Sequence, residues 1–388
     1  MKARAQIDAI LKRAADACRV PGVVAMAADR DGLIYEGAFG RRALPDGAPM
    51  TLDTVFWIAS MTKAITAVAA MQLVEQGKLS LDRPAGEVIP QLGKTQVIDR
   101  FDDAGNPVLR APKRPITLRN LLTHTSGFSE DVWHADMKRY IEKTGHPTGF
   151  TGKLATLHAP LIVDPDTRWE YGMSMDWVGQ LVEKASGETI DVYFRDHIFS
   201  PLGMRDSGYV IDDEQKSRLA TVHVRKADGA LEPFERTLPA KREYYPGGGS
   251  LYSTGGDYLS FLRMLLNGGS LDGKTFLRPE TLKMMAQNHI GDVDVGGLKP
   301  ARLELSNNVD FFPGMTKKWG LSFLINTQDA PAGRSAGSLA WGGLGNTYFW
   351  LDPKKRIAGV ILTQVLPFGD PTVLALLDDF ETAIYAKA

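Results

Sequence analysis

Ser60 and Lys63 stand three residues apart in Ser60-Met61-Thr62-Lys63, at the head of a run rich in Ala, Met and Leu that Gly77 is placed to stop. On a helix that spacing puts both side chains on one face. A serine hydroxyl is a weak nucleophile until a base takes its proton. Lysine serves as that base only when burial or nearby positive charge keeps it neutral. The start of a helix facing a cavity supplies both conditions, together with free backbone N–H groups that can stabilise an oxyanion. The chemistry open to this pair is attack on an acyl carbon by Ser60. The same four residues also describe an N-capping serine with a surface lysine, so the rest of the chain must supply the context.

Other stretches carry residue types suited to such chemistry. Tyr171, in Trp169-Glu170-Tyr171-Gly172-Met173, sits on a turn before a helical run and after the stiff Asp164-Pro165-Asp166. It is either a proton relay, if cations lower its pKa, or a packing residue. Trp341-Gly342-Gly343-Leu344 opens onto a strand. Its glycines would let a ligand reach the backbone and meet an N–H, or they mark a bulge. Gly333-Arg334-Ser335-Ala336-Gly337 matches the G-x-S-x-G nucleophile elbow, which needs a buried strand before it and a helix after it. Here it follows a loop and leads into a strand-like segment, so it is read as a chance match. His124 could be a base, but His124-Thr125-Ser126-Gly127 at a helix end is read as holding a buried, hydrogen-bonded structural histidine. The seven histidines show no paired metal spacing, and Gly247-Gly248-Gly249-Ser250 lacks the ending of a phosphate loop. No metal and no cofactor are expected.

These residues sit in a chain of 388 residues, 44% hydrophobic and 23% charged, with a net charge of -1. That length implies two domains or one large domain with an insertion. The charge balance argues against nucleic acid or an anionic membrane as partner, and no stretch has the length of a membrane span. The N-terminal stretch reads as a charged amphipathic helix rather than a signal peptide. Cys18, the only cysteine, excludes an internal disulfide and is expected to be buried on that first helix. Together these readings predict a cytoplasmic protein.

Periodicity places a helix over 3–19, a hairpin of strands 23–28 and 33–39, and the helix from Ser60 to Gln76. Residues 79–115 read as a long irregular connection. A short helix is predicted to start at Thr117, and residues 129–160 could cover a pocket. Further helices are expected over 175–185, 189–198, 254–266 and 371–385, and possible strands over 209–211 and 220–224. Strands are expected over 319–327, 346–351 and 357–364. Thr254 and Asp257 suggest a capping box. With strands at both ends and helices between, the simplest architecture is α+β. The N- and C-terminal segments share one antiparallel sheet flanked by helices, and a mainly helical region is inserted between them. We take residues 1–85 and 240–388 as the sheet domain and 86–239 as the insert.

In order along the chain, Ser60-Met61-Thr62-Lys63, Leu121-Leu122-Thr123-His124-Thr125-Ser126-Gly127, Trp169-Glu170-Tyr171, Pro201-Leu202-Gly203-Met204, Gly247-Gly248-Gly249-Ser250 and Trp341-Gly342-Gly343 form a set. That set resembles the serine hydrolases of the β-lactamase and penicillin-binding-protein superfamily. It is most similar to the family VIII carboxylesterases, relatives of class C β-lactamases. The resemblance implies a β-lactamase/transpeptidase-like fold, with Ser60 acylated, Lys63 deprotonating it and Tyr171 moving protons to and from the leaving group and water. It implies an oxyanion hole from the N–H groups of Ser60 and Leu344, with Trp341, Gly342 and Gly343 binding substrate. Asp176 matches an aspartate five residues after the tyrosine and is expected to be structural. Two positions depart from the β-lactamase pattern. Met173 stands where an asparagine is usual, and Trp341 replaces the lysine of Lys-Thr-Gly, which suits a neutral ester better than an anionic β-lactam.

The expected function is hydrolysis of small-molecule carboxylic esters, short- to medium-chain, through a Ser60 acyl-enzyme. The alternatives are a β-lactamase or D-amino peptidase, an acyltransferase, and a non-catalytic binding protein of the same fold. Phe128, Trp133, Tyr244 and Tyr245 are candidate pocket walls. Oligomeric state is not readable from the sequence.

Overall fold

The computed structural model describes residues 2–235 and 241–386. The domain boundary expected at 239/240 lies outside the described residues. Helix α1 (Lys2–Asp16) precedes a hairpin of β1 (Gly22–Asp29) and β2 (Leu33–Gly40), and helix α2 spans Thr62–Glu75. The middle of the chain supplies α3 (Leu118–Leu122) and α4 (Ser174–Ser186), followed by α5 (Gly255–Leu266). The C-terminal part adds β3 (Lys317–Trp319), β4 (Leu324–Asn326), β5 (Leu339–Gly343), β6 (Thr347–Asp352), β7 (Ile357–Leu362) and α6 (Pro371–Tyr385).

The fold is α+β, as expected. Seven strands form one antiparallel sheet in the order β3-β4-β5-β6-β7-β1-β2. The N-terminal hairpin docks on the last C-terminal strand, with Met26 opposite Val360. β1 and β7 are nearly continuous apolar runs because helices cover both faces of this part of the sheet. α1 contacts β1, β2 and α6, while α5 lies on β1 and β7. α5 buries Tyr258, Phe261, Leu262 and Leu265 as its predicted stripe. α2 is buried almost all round, and its alanines let α4 pack closely on it.

Several local expectations are corrected. The segment 319–327 is two strands, not one. Gly320-Leu321-Ser322 reverses the chain, with Ser322 at φ +74°. The apolar run hid this turn because both strands and the turn are buried. The connection 79–115 contains a hairpin, Val97–Phe101 paired with Pro107–Arg110, whose mixed polar exposure masks any apolar pattern. Residues 209–211 form no strand. The second short helix ends at Phe194 and widens into a π turn over Arg195–Phe199. Cys18 is exposed, because α1 stops at Asp16 and the chain turns at Cys18 with φ +51°. Thr254 does accept from Asp257 N, but the carboxylate of Asp257 is held instead by Asp206 N and Ser207 Oγ. No helix among the described residues is long and apolar enough to cross a membrane.

Candidate active site

Ser60 lies on a single 3₁₀ turn, Ala59–Met61, that feeds directly into α2. The approach is pinned from outside: Phe56 and Trp57 pair with Ser253 and Tyr252, and Ile58 N donates to Leu251 O. Ala59 takes φ +43°, a conformation disfavoured for a residue with a Cβ, and this bends the chain sharply into the helix. Thr62 Oγ1 returns a 2.6 Å hydrogen bond to Ala59 O, and Tyr258 OH donates to Met61 O. The half-buried Ser60 thus stands on a braced turn at a helix start.

Lys63, 4% exposed, donates to Ser60 Oγ at 3.0 Å and to the Gly248 carbonyl at 2.6 Å. Its Nζ is 4.8 Å from the centre of the Tyr171 ring. The glycine run explains how a carbonyl comes so close. A Cβ at Gly247 would stand 2.4 Å from Met175 O, so only glycine threads between α2 and α4 there. Thr66 Oγ1 donates to Gly247 O, and Gly248 N donates to Asp176 Oδ1 at 2.6 Å. Gly247-Gly248 therefore serves the lysine, a role its sequence did not announce. Burial pushes the Asp176 carboxyl up to about 6, opposed by the nearby Lys63.

Tyr171 is buried on the turn before α4. Ser129 Oγ holds its carbonyl at 3.0 Å, and Gly172 packs on the Ser129 backbone where a Cβ would stand at 2.5 Å. Trp341 Nε1 donates to the Tyr171 hydroxyl at 3.0 Å. The indole of Trp341 is enclosed by Trp169, Trp319, Phe311 and Tyr171 and is not part of the cavity wall around Ser60. Gly342 and Gly343 are likewise absent from that wall. A Cβ on Gly343 would meet Ile58 O at 2.2 Å, so this glycine lets β5 approach the Ser60 turn rather than a ligand. Leu344, the next residue, does line the cavity.

The cavity holds about 330 Å³ and is open to solvent. Ser60, Lys63, Tyr171 and Asp176 share it with Trp57, Trp133 and Leu366. Of the four aromatic wall candidates only Trp133 reaches it; Phe128 packs on Trp177, and Tyr245 stacks on Tyr209. Tyr244 is buried close to Asp176 and Glu130 but does not line the cavity. Three charged residues that sequence reasoning did not single out also line it, Glu130, Arg242 and Arg302. Glu130 falls at the start of the 129–160 stretch expected to cover a pocket, but nothing in the sequence singled it out.

His124 is fully buried, but neither ring nitrogen has a hydrogen-bond partner among the described residues, which corrects the expected hydrogen-bonded histidine. Aromatic rings surround it, with Tyr171 at 4.8 Å, and burial holds it neutral. Ser335 is 3% exposed and remote from the cavity, beside the buried Arg334–Glu381 ion pair, in keeping with a chance motif. Among the described residues no group of three or more His, Cys, Asp or Glu is placed to hold a metal ion.

Comparison with known proteins gives the family and the fold. A family model described as Beta-lactamase matches residues 7–382. The chain is 32% identical to monacolin J acid methylbutanoyltransferase of Aspergillus terreus, over 98% of this chain and 95% of that one. It is 33% identical to lovastatin esterase of Penicillium rubens, over 98% of each chain. The solved structure of unliganded simvastatin synthase (LovD) from Aspergillus terreus superposes with a TM-score of 0.86 at 30% identity, over 100% of this chain and 99% of that one. The chain belongs to the Beta-lactamase family.

Proposed function

We propose that this protein is a serine carboxylesterase that cleaves small-molecule carboxylic esters through an acyl-enzyme on Ser60. The observation that carries the reading is the 3.0 Å contact between Lys63 Nζ and Ser60 Oγ, with the lysine aimed by the Gly248 carbonyl. A neutral lysine amine has two N–H bonds and one lone pair. Lys63 acts as base in that form: one N–H stays on Gly248 O, the proton it held toward Ser60 Oγ has been given up, and the lone pair left there takes the Ser60 proton as Oγ bonds to the ester carbon. The carbonyl oxygen becomes an oxyanion between the N–H groups of Ser60 and Leu344. Oxyanion donors of this kind are worth about 3–4 kcal/mol each. Tyr171, its hydroxyl held by Trp341, passes a proton to the departing alkoxide, and the alcohol leaves. Water then attacks the acyl-enzyme, giving its proton back through the same groups, and the carboxylic acid and free Ser60 are released.

Acyl transfer is the second reading. It uses the same intermediate, with an alcohol in place of water. Apolar walls around Ser60 (Trp57, Leu344, Leu366) favour an organic acceptor over water, and the relatives include a named acyltransferase as well as a named esterase. A cytoplasmic setting belongs to the same reading and rests on the single cysteine.

The test is intact mass after brief mixing with p-nitrophenyl butyrate, p-nitrophenyl octanoate and a chromogenic cephalosporin, with turnover followed in parallel. An acyl adduct and ester turnover, both lost in Ser60→Ala, would support the esterase. A dominant cephalosporin turnover would move the reading to β-lactamase. Addition of a simple alcohol that diverts the acyl group into a new ester would establish transfer.

A further inference from the structure

Glu130 occupies the cavity beside the candidate catalytic groups, and its backbone is fixed on both sides. Ser129 Oγ is bonded to Tyr171 O, the Glu130 N lies where a Cβ on Gly172 would meet it at 3.1 Å, and its carbonyl accepts from Trp133 N and His134 N. The side chain has no such anchor. No described residue donates to its carboxyl or forms an ion pair with it. The neighbouring Arg302 pairs with Asp131 and Glu304 instead, and Lys63 is engaged by Ser60 and Gly248. The residue is half-buried and lines the cavity.

A carboxyl set unpaired into a substrate cavity is costly unless a ligand satisfies it. We propose that Glu130 is a specificity-determining residue, which attracts a cationic group of the substrate or accepts a hydrogen bond from its hydroxyl, and rejects a carboxylate at the same place. The inference deepens the esterase reading and rests on it for the identity of the cavity. The charged and titratable groups around Glu130 are Lys63 from α2, Asp176 from α4, Asp131 on its own turn, Tyr171 and Tyr244, and Arg242 and Arg302 in the wall. Burial and the Asp176 charge push the Glu130 carboxyl up to about 7, against the pull of Lys63. Below that pH the protonated carboxyl tolerates an anion; above it, the carboxylate favours a cation.

The test has two arms. In the first, kcat/KM is measured at pH 6 and 8.5 for p-nitrophenyl esters whose equal-length acyl chains end in methyl, hydroxyl, carboxylate or trimethylammonium. Butanoate esters carrying the same ends on the alcohol are measured alongside. In at least one series the carboxylate-to-methyl ratio of the natural protein should fall by roughly tenfold between the two pH values, and the trimethylammonium ratio should rise. Both ratios should be flat in Glu130→Gln. In the second arm, calorimetry on Ser60→Ala compares hexyltrimethylammonium with hexanoate at both pH values, with Ser60→Ala/Glu130→Gln as control. This arm needs no turnover, so an enzyme that cleaves none of the esters overturns the esterase reading while charge selection is still decided. Pairs of ratios or affinities that do not move with pH, or that move equally with and without Glu130, overturn the proposal; the latter result would assign the titration to Asp176.

Discussion

The indole N–H of Trp341 donates a 3.0 Å hydrogen bond to the hydroxyl oxygen of Tyr171, and the indole itself is shut away from the cavity by other aromatic rings. The bond leaves the phenolic proton free to point elsewhere and would strengthen as the oxygen gains negative charge. We propose on this geometry that Trp341 positions Tyr171 rather than walling the substrate. Trp341→Phe keeps an aromatic ring and removes the donor. Losing one hydrogen bond to a charged group is worth about 1.5–3 kcal/mol, so kcat should fall by one to two orders of magnitude while KM changes little. A raised KM at unchanged kcat would return Trp341 to the substrate-binding role.

Ser60 and Ser335 sit in the two serine motifs of the chain, and the structure separates them. Ser60→Ala should lower ester turnover by about 10⁴-fold or more, as for other removed nucleophiles, with no acyl adduct by mass. Ser335→Ala should retain turnover, because Ser335 is buried beside Arg334–Glu381, away from the cavity. The reverse pattern would overthrow the assignment.

Gly343 and Gly249 offer a paired test of close approach. An alanine at Gly343 would drive its Cβ to 2.2 Å from Ile58 O and 2.4 Å from Thr347 Oγ1, whereas nothing lies within 4 Å of a Cβ at Gly249. Overpacking of this kind costs about 1–3 kcal/mol. Gly343→Ala should lower the melting temperature and displace the Ser60 turn, with a loss in kcat. Gly249→Ala should leave the melting temperature near that of the natural protein; since Gly249 lines the cavity, it is a control for stability and not for kcat. Equal effects on denaturant midpoint would show that the contact does not brace the turn.

Asp176 and Glu130 make stability fall with rising pH. Both carboxyls are pushed up by burial, to about 6 and about 7, above the ordinary unfolded values near 4. Between those limits the folded protein holds protons that the unfolded chain has lost. Their effect is thus absent below about pH 4 and destabilising as pH rises through 6 to 7, on the order of 1–3 kcal/mol each. Asp176→Asn and Glu130→Gln should each flatten that part of the stability–pH curve, read from urea midpoints between pH 4 and 8. Asp176→Asn keeps an oxygen for Gly248 N, so a steeper curve in that variant would contradict the sign.

Sequence periodicity was most informative where one element is covered on a single side by a clear apolar stripe. Helix α5 was read from Tyr258, Phe261, Leu262 and Leu265, and α6 matches its predicted bounds of 371–385. It misled where burial is two-sided, as over Trp319–Asn326, where Gly320 and Ser322 make the reversal but sit buried within a largely apolar run. It was silent in the exposed hairpin over 97–110.

Residue type and order along the chain determined the antiparallel α+β architecture and nominated Ser60, Lys63 and Tyr171, because chemistry of this kind needs particular functional groups at helical spacing. Only the tertiary structure decided what the other motif residues do. Glycine signals close approach without naming the partner, so neither Gly343 against Ile58 nor Gly248 on Lys63 could be read in advance. Glu130 reaches the cavity because a turn between α3 and α4 brings it next to Gly172, forty-two residues on. Its chemistry depends on what surrounds the carboxyl, and those surroundings come from distant segments that no local spacing encodes.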